Sequence, residues 1–79
     1  MKELVECIAQ SLVDDPAKVT TQEIQEGNSI LIKLQLVPEE MGRIIGKQGR
    51  TINAMRTLLR VMAAKRHMRV TLEVAQAND

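Results

Sequence analysis

The sequence predicts an α+β domain whose elements run helix-strand-strand-helix-helix-strand, with three helices backing a three-stranded mixed sheet. Apolar residues recur at helical spacing near the amino terminus and again after residue 50, whereas they alternate at residues 30–36 and 70–74. A chain of 79 residues with 44% hydrophobic side chains has room for one small core. Residues 1–79 are therefore expected to form a single domain.

The first helix is predicted over residues 2–13 because its apolar residues share one face. The members of that face are Leu4, Val5, Ile8 and Leu12. Asp14, Asp15 and Pro16 end the helix, since the residue before a proline avoids the α region. Cys7 lies at the border of the apolar face, where we expect a buried or half-buried thiol.

Two strands are predicted to follow the first helix as an antiparallel hairpin. Residues 18–24 contain a β-branched run and form a modest strand at the edge of the sheet. Residues 26–28 make the turn, and residues 29–37 alternate between apolar and other side chains. The face that this alternation assigns to the core comprises Ile30, Ile32, Leu34 and Leu36.

Two helices and a last strand complete the domain. Pro38 suits the opening of a helix in which Met41, Ile44 and Ile45 face inward. A short turn follows, and residues 50–66 make the longest helix. Its core face comprises Ile52, Met55, Leu59, Met62 and Ala63. Alternation at residues 70–74 predicts a strand parallel to an earlier one, before a frayed tail at residues 75–79.

The turn between the two later helices carries the chemistry of the chain. Gly46 and Gly49 enclose Lys47 and Gln48, and Arg50 opens the next helix. Unpaired backbone N–H groups at a helix start, together with nearby cations, suit a phosphate. A nucleotide-hydrolysing P-loop is excluded because only three residues separate Gly42 from Gly46, where four are needed, and no hydroxyl follows the lysine. A dinucleotide fingerprint is excluded because no Gly-x-Gly occurs.

Charge is divided unevenly along the chain. Residues 42–72, here called the basic segment, contain eight lysines and arginines and no acid, whereas the remainder has three lysines and ten acids. Such asymmetry favours a surface for a polyanion on an otherwise acidic body. The alternative is a solvated helix flank whose arginines cover apolar surface.

Several classes of function are disfavoured by what the composition lacks. One cysteine and one histidine leave no disulfide, no zinc ligand set and no nucleophile–base pair. We therefore expect no enzymatic activity, no metal, no cofactor and no small-molecule substrate. Without Phe, Tyr or Trp, folds that stack bases on aromatic platforms are unlikely. No secretory signal or long apolar span is present, so we expect a cytoplasmic protein without membrane contact.

A second line of small and aliphatic residues follows the longest helix, away from its core face. This apolar stripe consists of Ala54, Leu58 and Val61. Either Ala54 and Leu58 flank the core and leave Val61 as one exposed aliphatic, or the stripe is a surface for a protein partner.

The turn and its neighbours resemble the core of KH domains, in which two aliphatic residues precede Gly-x-x-Gly and an isoleucine follows after two more. Residues 44–52, Ile-Ile-Gly-Lys-Gln-Gly-Arg-Thr-Ile, match that pattern. The order of elements is similar to the type II KH domain common in bacteria. Over nearly the whole chain, the sequence more closely resembles the small single-domain bacterial KH proteins of the KhpA family. The segments that carry it are Leu4-Val5, Asp14-Asp15-Pro16 and residues 41–49.

The resemblance implies a cytoplasmic protein that binds single-stranded RNA through residues 42–52. Gly46, Lys47, Gln48 and Gly49 would hold the backbone of about four nucleotides, with charge from Lys47, Arg50 and, more weakly, Arg43. The implied aliphatic groove has one wall from Ile44, Ile45 and Ile52, each of which would alternatively be core. We expect Leu34 and Leu36 on the opposite wall, and Arg66 and Arg69 at the far end of the groove.

The resemblance also implies protein partners. These are a second copy of the chain, or a larger KH protein of the KhpB (Jag/EloR) type linked to cell elongation, with roles in post-transcriptional regulation, RNA chaperoning and cell shape. The apolar stripe is the candidate interface. The competing hypothesis is a protein-interaction module that keeps the KH shape without needing nucleic acid.

Overall fold

The structure is a computed structural model that describes residues 1–76, and it confirms the predicted order of elements. Helix α1 is followed by a short 3-10 helix, strands β1 and β2, helix α2, a 3-10 turn, helix α3 and strand β3. Their bounds are Lys2–Leu12 (α1), Pro16–Lys18 (3-10), Thr20–Glu26 (β1), Ser29–Leu36 (β2), Pro38–Ile45 (α2), Lys47–Gly49 (3-10), Arg50–Lys65 (α3) and Arg69–Gln76 (β3).

Strand β2 lies at the centre of a mixed three-stranded sheet. It runs antiparallel to β1, with Thr21 opposite Leu34, and parallel to β3, with Ile32 opposite Leu72. Since β2 and β3 are parallel, the chain needs a crossover between them, and α2 and α3 provide it. The sheet therefore has two edges, β1 as predicted and β3 beside the helical crossover.

The core is aliphatic and is centred on the predicted face of β2. Ile32, Leu34 and Leu36 are almost completely excluded from solvent. The helices cover this face with Val5, Ala9, Ile44, Ile52, Met55, Leu59 and Ala63, and Leu72 of β3 joins them. Successive strand residues point to opposite faces of a sheet, so the strict alternation along β2 places all its alternate apolar residues on the one face that the helices cover.

The predicted face of α1 is shifted by about one residue. Val5 and Ala9 are the buried residues of α1, whereas Leu12 is 37% exposed at its last turn. Val13, just after the helix, is buried instead. The small side chain of Ala9 lets α1 lie close to the sheet. The expectation for Cys7 is wrong, because its thiol is exposed.

Some strand and helix boundaries also differ from expectation. β1 covers residues 20–26 rather than 18–24, because Pro16–Lys18 continues as a 3-10 turn after α1. β3 includes Ala75 and Gln76, which pair with β2, so the first part of the predicted tail is strand. Residues 77–79, the rest of that tail, lie outside the described residues. Met62 is half-buried at the edge of the core face of α3.

A buried carboxylate fixes the start of α2 against the end of α1. Oε2 of Glu40 accepts hydrogen bonds from the backbone N–H groups of Asp14 (2.6 Å) and Asp15 (3.2 Å). Asp14 and Asp15 lie beyond the end of α1, so their N–H groups need acceptors outside the helix, and a charged acceptor makes the stronger bonds. Glu40 therefore links two segments far apart in sequence and holds α2 where it leads into the glycine-containing turn.

Across residues 1–76, none of the helices combines the length and apolar character required to cross a membrane.

Candidate nucleic-acid interface

The reversal from α2 into α3 takes place within residues 46–49, here called the glycine turn. Gly46 has φ 76° and ψ 176°, Gln48 has φ 56° and ψ 27°, and Gly49 has φ 74° and ψ 16°. Three of the four residues therefore have positive φ. The backbone N–H of Gly46 donates to the carbonyl of Gly42 (2.9 Å), and that of Gly49 donates to Gly46 (3.2 Å). These bonds close the turn tightly.

Gly46 is required by space as well as by conformation. A Cβ atom at this position would lie 2.9 Å from Cβ and 3.0 Å from the backbone nitrogen of Thr51. Its φ and ψ also fall in a region that only glycine adopts readily. A Cβ at Gly49, in contrast, would make an ordinary contact of 3.5 Å with Nδ2 of Asn53. Thr51 in the first turn of α3 thus packs directly on the bare backbone of Gly46.

The start of α3 is open and positively charged. Its N-cap residue, Gly49, has no side chain that accepts from the first N–H groups of this 16-residue helix. A helix start carries partial positive charge and unpaired donors. Lys47, Gln48 and Arg50 are exposed beside it, and neither cation forms an ion pair within the described residues. Both cations therefore lie beside the start of α3, where the backbone N–H of Arg50 itself donates to the carbonyl of Lys47.

Arg43 is oriented differently from the other cations near the turn. Its Nη1 lies 2.9 Å from Oδ1 of Asp14, and its Nε lies 3.6 Å from Oε1 of Glu40. The guanidinium consequently faces the junction between α1 and α2, where two carboxylates balance its charge. The sequence contained no signal of this pairing, because Arg43 and Asp14 are 29 residues apart.

The three isoleucines near the turn have different environments. Ile44 is fully buried, and Ile52 is buried beneath the surface of α3. Ile45, expected to face inward, is 36% exposed instead. It follows Ile44 by about 100° around the helix, so only one of the pair can point into the core. Ile45 is the member of the pair that is available to a ligand.

A hollow of about 360 Å³ opens beside Ile45, between the two helices and the free edge of β3. Its lining residues are Met41, Ile45, Ile52, Arg56, Leu72, Glu73 and Val74. The wall opposite the helices is therefore β3, and the expectation that Leu34 and Leu36 form it is wrong. Both leucines belong to the central strand and are buried under the helices.

A second hollow, of about 210 Å³, continues along the same edge toward the connection between α3 and β3. It is lined by Arg56, Leu59, Arg60, Val70, Thr71 and Leu72. We call the two hollows together the groove. Sequence reasoning missed Met41, Arg56, Leu72 and Val74 as groove residues. The basic residue at position 56 was a visible signal, but only the edge position of β3 shows that it faces a cleft.

The connection at the far end of the groove exposes the two predicted arginines. The N–H of Met68 donates to the carbonyl of Ala63 (2.8 Å), and the N–H of His67 donates to Ala64 (3.1 Å). With His67 at φ 58°, these bonds form the motif that commonly ends helices at a glycine. Met68 packs on the core, so Arg66, His67 and Arg69 are left exposed around it.

The apolar stripe is exposed on the face of α3 that points away from the sheet. Leu58 and Val61 are each 53% exposed, and Ala54 is also exposed. The alternative in which Ala54 and Leu58 flank the core is therefore wrong.

Within residues 1–76, no three His, Cys, Asp or Glu side chains are grouped as metal ligands.

Comparison with known proteins finds one matching family model and several similar relatives. The family model described as "KhpA/KhpB, KH domain" matches residues 2–74. The RNA-binding protein KhpA of Caldanaerobacter subterraneus is 49% identical over 74 residues, covering 94% of this chain and 99% of the relative. KhpA of Clostridium acetobutylicum is 46% identical over 74 residues with the same coverage. KhpA of Chlamydia pneumoniae is 42% identical over 76 residues, covering 96% and 97%.

Solved structures of Era contain a similar fold. The complex of Era with MgGDPNP and nucleotides 1506–1542 of 16S ribosomal RNA aligns with a TM-score of 0.58 and 23% identity, covering 99% of this chain. An Aquifex aeolicus Era variant bound to GDP and aluminium fluoride aligns with a TM-score of 0.61 and 22% identity, again covering 99%. This chain spans only 30% and 31% of those two chains, so the likeness concerns the fold alone.

Two glycines four residues apart are expected to respond oppositely to alanine. Gly46→Ala should lower the free energy of unfolding by roughly 3 kcal/mol, because it combines backbone strain with a clash against Thr51. Gly42→Ala should raise it by up to about 1 kcal/mol, because Gly42 lies inside α2 and alanine favours a helix; a Cβ there meets nothing within 4 Å. Urea denaturation measures both. Equal effects of the two substitutions would contradict the described turn.

Proposed function

Because this chain belongs to the KhpA/KhpB KH-domain family, we propose that it binds short stretches of single-stranded RNA and catalyses no reaction. The observation that carries the proposal is the open start of α3, where backbone N–H groups without a side-chain cap, together with Lys47 and Arg50, lie beside the glycine turn. The relatives with which the chain shares 41–49% identity are named RNA-binding proteins. A bacterial protein with this role works in the cytoplasm.

In the proposed complex, the glycine turn holds the sugar-phosphate backbone of about four nucleotides. Bare backbone at Gly49 lets the phosphates approach the N–H donors closely, whereas the space beside Gly46 is filled by Thr51. Lys47 and Arg50 add charge-assisted bonds, which are stronger than neutral ones, and Gln48 adds a neutral amide. Arg43 has a smaller part in this proposal than the sequence suggested, since Asp14 and Glu40 already balance its charge.

The bases then lie in the groove between the helices and β3. Ile45 and Met41 supply apolar contact from α2, and Ile52 lies at the base of the hollow. Ile44 belongs to the core and supports the turn from below. An aliphatic surface of this kind suits a base without an aromatic platform, which matches a chain that has no Phe, Tyr or Trp. Arg66 and Arg69 border the far end and attract the continuing strand.

Binding at one such site should be weak and sensitive to salt. The logarithm of the affinity for a single strand falls by about 0.7 per phosphate neutralised for each tenfold rise in salt. With few phosphate contacts, useful affinity requires two sites acting together. We propose that the apolar stripe provides this by joining two copies, or by joining this chain to a larger KH protein of the KhpB type. Such a complex suits post-transcriptional regulation, RNA chaperoning and control of cell shape.

A second candidate function is a protein-interaction module in which RNA binding is dispensable. The exposure of Leu58 and Val61 favours it, because small domains seldom leave neighbouring aliphatic residues open to water without a partner. The two functions differ in what the glycine turn must do, and substitutions there separate them.

Acids in the glycine turn should abolish RNA binding. In Lys47→Asp with Gln48→Asp, two carboxylates replace a cation and an amide where phosphates are expected, so affinity for a decamer of single-stranded RNA should fall at least about tenfold. Aspartate tolerates the positive φ of position 48, so the fold should persist. Fluorescence anisotropy at two salt concentrations measures the loss and the salt dependence.

The matched control is Lys18→Asp with Gln22→Asp, which makes the same change of charge at two exposed positions outside the basic segment. It should bind nearly as the wild type does. Equal loss in both variants would show a general effect of net charge. Unchanged binding by the loop variant, or no binding by the wild type, would contradict the proposed function and favour the protein-interaction module.

Charge in the apolar stripe should separate the proposed dimer into folded monomers. Val61→Asp places a carboxylate where two stripes would meet, and burying an unpaired charge costs far more than the contact contributes. Light scattering coupled to size-exclusion chromatography should give twice the chain mass for the wild type and the chain mass for the variant. Ala17→Asp, at an exposed position in the 3-10 helix outside α3, should remain dimeric. A dimeric Val61→Asp protein would place the interface elsewhere.

A further inference from the structure

The groove is crossed by one side chain, that of Arg56, which belongs to both hollows. Each hollow is lined by Arg56 from α3 and by Leu72 from β3. Arg56 is half-buried, unlike Lys47, Arg50 and Arg60, which are exposed. A cation at the middle of a groove has a different role from cations at its rim, because it reaches whatever lies inside the groove.

The guanidinium of Arg56 covers an acceptor on the free edge of β3. Its Nε and Nη2 donate to the carbonyl oxygen of Leu72 at 3.4 and 3.3 Å, and Nη1 lies 3.5 Å from Oδ1 of Asn53. All three distances are long for N–H···O hydrogen bonds. Among residues 1–76, no carboxylate lies within 4.0 Å of Arg56. The guanidinium is therefore held by weak, neutral partners and keeps its capacity to bind a ligand.

This contact changes what the strand edge offers to a base. An uncovered edge strand presents both N–H donors and C=O acceptors. Where Arg56 covers the carbonyl of Leu72, the acceptor is replaced by the N–H groups of a guanidinium, which has no acceptor. At the position of Leu72 the strand edge consequently presents donors only, and the carboxylate of Glu73 lines the neighbouring part of the hollow. A base that fits there must itself present acceptors side by side.

We propose that Arg56 is a specificity-determining residue that selects bases with two adjacent acceptors, an inference that rests on the proposed binding of single-stranded RNA. Guanine presents O6 and N7, which arginine binds as a pair, and cytosine presents O2 and N3. Adenine instead presents its N6 amino donor beside N1 on one edge and beside N7 on the other. Its amino group would need an acceptor, and the carbonyl of Leu72 could accept from it only if Arg56 uncovered that oxygen. The protein therefore prefers guanine or cytosine to adenine at the middle of the groove.

The test compares three hexanucleotides, UUGGUU, UUCCUU and UUAAUU, by fluorescence anisotropy at one salt concentration. Wild-type protein should bind the guanine or the cytosine oligonucleotide about tenfold more tightly than the adenine one. Arg56→Gln should reduce that ratio to about twofold or less, because glutamine lacks the charged fork and uncovers the acceptor. Arg56→Lys keeps the charge without the planar fork, so it should keep the salt dependence but lose most of the ratio.

Lys65→Gln is the control for charge alone. Lys65 is exposed at the end of α3 and lines neither hollow. Its loss should weaken all three oligonucleotides alike and leave their ratio unchanged. Circular dichroism of each variant establishes whether it is folded. If Arg56→Gln is not folded, the affinity ratio of Arg56→Lys is compared with that of the wild type instead.

Two results would overturn the inference: equal affinities of the wild type for the three oligonucleotides, or an unchanged ratio in folded Arg56→Gln and Arg56→Lys. If the wild type binds all three equally and the Lys47→Asp, Gln48→Asp variant binds none, the role of Arg56 fails while the proposed function stands. If the folded wild type binds none of the three, both fail together.

Discussion

The backbone of Gly46 is the constraint on which the candidate nucleic-acid interface depends. Its conformation is nearly restricted to glycine, and the residue lies so close to Thr51 that no Cβ can be accommodated without movement. This close approach lets α3 begin immediately beyond the end of α2. The N-cap of α3 is then another glycine, so its first N–H groups have no side-chain acceptor. The same tight turn that joins the two helices therefore leaves the start of α3 without a side-chain cap, beside Lys47 and Arg50.

The rest of the fold determines where the turn lies. Glu40 ties the start of α2 to the residues after α1, and the crossover through α2 and α3 returns the chain parallel to β2. β3 consequently forms an edge of the sheet, and a groove opens between that edge and the helices. The core beneath needs only aliphatic side chains, because the alternating face of β2 is covered by apolar residues of all three helices.

Local patterns in the sequence predicted the helices and strands well. They could not predict contacts between residues that are far apart in sequence. Alternation at residues 30–36 identified the core face of β2, and the spacing of Gly46 and Gly49 identified the turn between helices. Periodicity shows which residues share a face, but not what that face meets. Leu34 and Leu36 were assigned to a groove wall for this reason, although they lie in the central strand. The pairing of Arg43 with Asp14 depends on tertiary structure in the same way.

The most direct test of the account is a titration of nitrogen-15-labelled protein with a short single-stranded RNA, followed by amide chemical shifts. If RNA binds at the glycine turn and in the groove, the largest changes should occur in the glycine turn, in the first turn of α3 and along residues 70–74, with little change at Leu58 and Val61. Changes confined to the apolar stripe, or no changes at saturating RNA, would contradict it. Changes in the glycine turn, the first turn of α3 and residues 70–74 would locate the nucleic acid at the start of α3 and in the groove.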